Sequence, residues 1–120
     1  MSVNYGSKRV VVGAHYGLRD WLAQRVSAVV LLAYALLLLG AVLFTSELNY
    51  GTWAGLFASV WMKVATLIAV LALIWHAWVG VRDIYMDYIK PTGARLVLQV
   101  ATVVALVGYA IWAVIILWRV

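Results

Sequence analysis

Three long stretches of this sequence carry no charged residue, and they decide what the chain can fold into. Val26 to Ser46 runs for 21 residues between Arg25 and Glu47, Val64 to Val81 for 18 between Lys63 and Arg82, and Leu96 to Trp118 for 23 between Arg95 and Arg119. A helix needs roughly 20 apolar residues to cross a hydrocarbon core about 30 Å thick. The second run is slightly short. Lys63 can lay its stem along the helix and lift its ammonium to the interface, so that span can begin near Ala58. With 68% of residues hydrophobic and 11% charged, an even spread would give an insoluble globule. The blocked arrangement predicts an all-α membrane protein with three transmembrane helices.

The runs are continuously apolar, whereas strands of a membrane barrel would alternate in segments of about 10 residues. The first run starts only after 25 mixed residues and is too long for the core of a secretory signal. The residues ahead of it are not an Arg-rich, Ser-rich amphipathic stretch, so no organelle transit peptide is expected. With no cysteine, the chain has no disulfide, thiolate ligand or iron–sulfur ligation of its own.

The net charge of +5 reads as a topology signal and not as a nucleic-acid footprint. Lys8, Arg9, Arg19 and Arg25 precede the first span, and Arg82, Lys90 and Arg95 follow the second, so seven of the nine basic residues lie on one side. By the positive-inside rule the N-terminus and the Arg82–Arg95 loop are cytoplasmic. Trp53, Trp61 and Trp118 near one face and Trp21 near the other fit interfacial aromatic belts. One domain is expected: a cytoplasmic arm over residues 1–20, irregular through its glycines Gly6, Gly13 and Gly17, then helices over about 24–46, 58–88 and 96–118. Pro91 and Gly93 are expected to end the second helix and turn the chain toward the third.

His76 lies about five residues inside the cytoplasmic end of the second span, where an ionisable side chain is costly without a partner. At 100° per residue, Ala65, Ala69, Ala72, His76, Gly80, Asp83 and Asp87 share one narrow face. Val64, Leu67, Leu71 and Trp78 fall opposite and are expected to meet lipid. The small residues serve either close helix approach or room for a flat cofactor beside His76. His76 either hydrogen-bonds a neighbouring helix or ligates haem iron. Two features favour iron. Arg25, Arg82 and Lys90 are cations on the side where propionates would need them. Also, no second histidine lies at membrane depth, because His15 belongs to the arm. A six-coordinate haem therefore requires a second polypeptide.

The end of the second helix, Asp83, Tyr85, Asp87, Tyr88 and Lys90, reads either as interfacial anchoring or as part of a quinone pocket. A phenol can donate to a quinone carbonyl, and a neighbouring carboxylate can relay protons, which would suit Tyr88 and Asp87.

The stretch His76-Ala77-Trp78-x-Gly80, followed six residues later by Asp87-Tyr88-x-Lys90-Pro91, resembles the signature of the succinate dehydrogenase hydrophobic membrane-anchor family. Trp21-x-x-Gln24-Arg25-Val26-Ser27-Ala28 resembles that family's other motif. The order of the motifs and the three spans cover nearly the whole chain. The resemblance implies a subunit of succinate:quinone oxidoreductase, the respiratory complex II, in a bacterial inner membrane. Its partners would be a flavoprotein subunit, an iron–sulfur subunit and a second anchor subunit of the cytochrome b type, with which it would pack into a haem-binding helical bundle. It further implies haem b with His76 as axial ligand to the iron, Arg25 near the haem propionates, and ubiquinone as substrate, bound by Tyr88 beside Asp87. Alone, such a chain would catalyse nothing. The alternatives are a fumarate reductase anchor, a small transporter or channel subunit with His76 in a proton path, and a haem-free structural anchor. The span interiors offer little lining for a pore, holding only scattered Gln99, Thr102 and Tyr109 on the third helix besides His76.

Overall fold

The structure is a computed structural model that describes the backbone from Tyr5 to Val120 and the side chains from Gly17 onward. Four helices follow one another: α1 (Tyr5–Leu43), α2 (Tyr50–Leu56), α3 (Val60–Tyr88) and α4 (Thr92–Leu117). Three contain segments long and apolar enough to cross a membrane, namely Gly17–Leu43, Val60–Tyr88 and Thr92–Leu117. The described residues are thus all-helical with three membrane helices, as the uncharged runs predict.

The ends of these helices differ from the expectation. The arm expected to be irregular is helical from Tyr5, continuous with the first span. Glycine weakens a helix by about 1 kcal/mol per residue relative to alanine, but an arm that extends an existing helix needs no new nucleus. Lys8, Arg9 and His15 have side chains outside the described residues. The polar connection after α1 contains the short α2, which composition does not announce. Its cap is reciprocal: Asn49 Oδ1 accepts from the Thr52 amide at 2.9 Å, and Thr52 Oγ1 accepts from the Asn49 amide at 2.9 Å. Threonine here takes the part that Glu or Gln usually plays in such a box.

The turn between α3 and α4 is tighter than expected. Ile89 closes α3, its amide donating to the Tyr85 carbonyl at 3.0 Å, and Pro91 already caps α4. Proline has a fixed φ and no N–H, both suited to the start of a helix, where amides go unpaired. Gly93 is therefore a helical residue in the first turn of α4, and no glycine among the described residues takes a positive φ.

α3 lies between α1 and α4 and packs on both. Polar side chains mark the seams. Tyr34 on α1 and Thr66 on α3 share a hydrogen bond of 2.7 Å, and Tyr85 on α3 and Thr102 on α4 share one of 3.0 Å. Such bonds average about 0.6 kcal/mol in membrane bundles, so they orient the helices more than they hold them. At the far end Lys63 reaches toward the end of α4. Its ammonium donates to the Val120 carbonyl at 3.2 Å and lies 5.7 Å from the centre of the Trp118 ring, so its charge ends among interfacial groups.

Only Ser27, Ala69, Val79 and Leu117 are buried among the described residues, while leucines, valines and tryptophans on all three spans stay exposed. A soluble domain could not leave so much apolar surface uncovered. The chain is a multi-pass membrane protein whose outer faces require lipid or other helices.

Candidate functional site

The small-residue face of α3 is where α1 packs. Ala69 on that face is buried, and a β-carbon added at Gly80 would meet the Gln24 side-chain nitrogen of α1 at 3.7 Å. At these two positions the stripe serves helix approach. The opposite face, expected to meet lipid, is divided: Val64 and Leu71 stay exposed, while Leu67 and Trp78 turn toward α4. Trp78 borders a groove with Leu96, Gln99 and Val100, and Leu67 and Leu71 border another with Ile111 and Val114. Hydropathy does not separate these roles, because a leucine suits lipid and a neighbouring apolar helix equally well.

His76 sits on the α1 seam and is half-buried. Its Nδ1 lies 3.0 Å from the hydroxyl oxygen of Ser27, which is 5% exposed. Ser27 Oγ also donates to the Gln24 carbonyl at 3.1 Å. The expected choice between a hydrogen bond to a neighbouring helix and a free ligand nitrogen dissolves here, because imidazole has two nitrogens. One is engaged by α1, and Nε2 has no hydrogen-bond partner among the described residues. A ring oriented through one nitrogen and open at the other fits the donor chemistry of haem ligation. Among the described residues no three His, Cys, Asp or Glu side chains gather as a metal cluster. What the chain offers is a single imidazole, which suits an iron already held by a porphyrin. A groove of about 450 Å³ between α3 and α4, bordered by Leu73, Ala77, Leu106 and Tyr109, lies on another face of α3 from His76.

Further along α3, Arg82 forms an ion pair with Asp20 of α1 and lies 3.9 Å from Asp83. Arg82 is thus engaged within the chain and is not a free cation for a propionate. Sequence reasoning missed Asp20, although it is the only carboxylate ahead of the first span. Two buried polar atoms of this seam, Gln24 Oε1 and Arg82 Nε, have no partner. One accepts and the other donates, and both are closed off inside the α1–α3 seam, so among the described residues they are unsatisfied polar atoms within it.

The other expected site residues lie apart. Arg25 is exposed, two positions from Ser27 and so on the far side of α1, with its guanidinium 5.9 Å from the centre of the Trp21 ring. Asp87 and Tyr88 are exposed at the last turn of α3, Tyr88 at 76%. They stand roughly 17 Å along the helix axis from His76, at 1.5 Å per residue. Tyr85, one turn earlier, is occupied by Thr102, which leaves Tyr88 as the open phenol of this helix end.

Three spans with little core of their own among the described residues, and one imidazole oriented at the seam between two of them, define a helical membrane protein whose outer faces lipid or other helices must cover. The sequence matches the family of succinate dehydrogenase/fumarate reductase transmembrane subunits over residues 4–111. It is 38% identical over 102 residues to a succinate dehydrogenase hydrophobic membrane anchor subunit of Coxiella burnetii, covering 85% of this chain and 89% of that protein. The chain belongs to this family of membrane anchor subunits.

Proposed function

We propose that the chain anchors a succinate:quinone oxidoreductase in the bacterial inner membrane, gives haem b one axial ligand through His76, and forms part of the ubiquinone site through Tyr88 and Asp87. The observation that carries this reading is the half-buried imidazole with Nδ1 held by Ser27 and Nε2 open. In a family of respiratory anchors, an imidazole so prepared is better explained by a ligand role than by a contact between helices alone.

The N-terminus and the turn between α3 and α4 face the cytoplasm, where the basic residues concentrate and where the flavoprotein and iron–sulfur subunits dock. A second anchor subunit of the cytochrome b type covers the exposed faces of the spans and would share the haem. When bound, haem b would supply one-electron redox chemistry, with His76 holding the iron from this chain. This chain's residues hold and orient. Ser27 and the α1 seam fix the ring of His76. Arg25 presents a guanidinium from the outer side of α1, so a propionate contact there is reached from the second anchor's side. Tyr88 donates its phenolic proton as a hydrogen bond to a quinone oxygen at the membrane surface, and Asp87 beside it passes protons from water. The name of the Coxiella relative favours succinate oxidation as the working direction over fumarate reduction.

The test is purification of the tagged chain from gently solubilised membranes. A flavoprotein, an iron–sulfur protein and a second small anchor should accompany it, and dithionite reduction should bring up a b-type α band. A folded chain that purifies alone and colourless would overturn the reading.

A further inference from the structure

Resting on the reading of His76 as a haem ligand, we infer that Ser27 is a positioning residue that fixes the imidazole's tautomer and tunes the electron density at its iron-facing nitrogen. The protons available at this contact decide the tautomer. A serine hydroxyl has one proton and two lone pairs. Ser27 Oγ lies 3.1 Å from the Gln24 carbonyl oxygen, which can only accept, and 3.0 Å from His76 Nδ1. If the hydroxyl donated to Nδ1, two oxygens would face each other at 3.1 Å with no proton between them. If it donates to the carbonyl, a lone pair on Oγ is free to accept from Nδ1–H, and both contacts are satisfied. The neutral ring then carries its proton on Nδ1 and its lone pair on Nε2, the arrangement a metal requires.

Ser27 is held for this task. It is 5% exposed, so bulk water does not compete for its oxygen. The same turn of α1 is pressed on α3 where Gln24 meets Gly80, with 3.7 Å between the amide nitrogen and a notional β-carbon. A hydroxyl is also a milder acceptor than the carboxylate found behind many ligating histidines. It strengthens Nε2 as a donor without drawing the proton off Nδ1, and a stronger donor favours ferric over ferrous iron.

The experiment compares Ser27→Ala, Ser27→Thr and Ser27→Val in the purified complex, reading haem content and the haem midpoint potential. Thr and Val match in shape, and only Thr keeps the hydroxyl. Ala and Val should retain haem about 10- to 100-fold less tightly, the usual effect of removing such a partner. Whatever haem remains should be about threefold to tenfold easier to reduce, a rise of ~30–60 mV for one electron. Thr should stay near wild type in both. Equal behaviour of Thr and Val, or an Ala complex with wild-type haem content and potential, would overturn the inference and leave the ligand role of His76 standing. A colourless wild-type complex would overturn that role and the inference together.

Discussion

His76→Ala in the assembled complex should abolish the six-coordinate b-type spectrum. The variant loses the only imidazole this chain presents at membrane depth among its described residues. Loss of a hydrogen-bonding partner behind a ligand typically costs 10- to 100-fold in affinity, so loss of the ligand itself should cost about 100-fold or more. Haem should either fail to co-purify or remain five-coordinate on the second anchor, with its α band broadened and its Soret band shifted. The substitution also leaves Ser27 without its inter-helix partner, so less complex should accumulate. Succinate oxidation with a soluble dye, which depends on the extrinsic subunits, should persist in proportion to the flavoprotein recovered. An unchanged spectrum would remove His76 from the iron.

Tyr88→Phe is the second large effect, and it should separate cleanly from the first. The phenyl ring stays and only the hydroxyl goes, at a side chain that is 76% exposed, so folding should be untouched. A hydrogen bond to a group that gains charge is worth about 1.5–3 kcal/mol, which corresponds to roughly a 10- to 100-fold fall in kcat/KM for quinone reduction. The haem spectrum and the succinate-dye activity should match wild type. Tyr85→Phe is the natural control, because that hydroxyl is taken by Thr102 and not open to a ligand. Wild-type quinone turnover by Tyr88→Phe would remove the phenol from the site.

The spans are legible in the sequence because charge and hydropathy are local properties, and the three uncharged runs become the three membrane helices. Helix ends are harder to place. Helical backbone continues past the apolar residues wherever nothing stops it, so α1 extends back to Tyr5 and α4 starts at Thr92 instead of near Leu96. The inward direction of His76 follows from 100° arithmetic, since small residues and the imidazole share a face. Which helix that face meets does not follow, because nothing in a leucine distinguishes lipid from a packed neighbour. Arg82 reads in the sequence as a free cation, whereas Asp20 on a separate helix takes its charge. Ser27 is visible within a motif, but its role requires the distance to Nδ1.

The most direct test is low-temperature EPR of the oxidised complex, with histidine nitrogens labelled in this chain alone and hyperfine couplings resolved. The prediction is a low-spin ferric haem with one labelled and one unlabelled axial nitrogen, the labelled coupling disappearing in His76→Ala. A low-spin haem showing no coupling to nitrogen from this chain, or a complex without haem, would contradict the assignment of His76 to the iron.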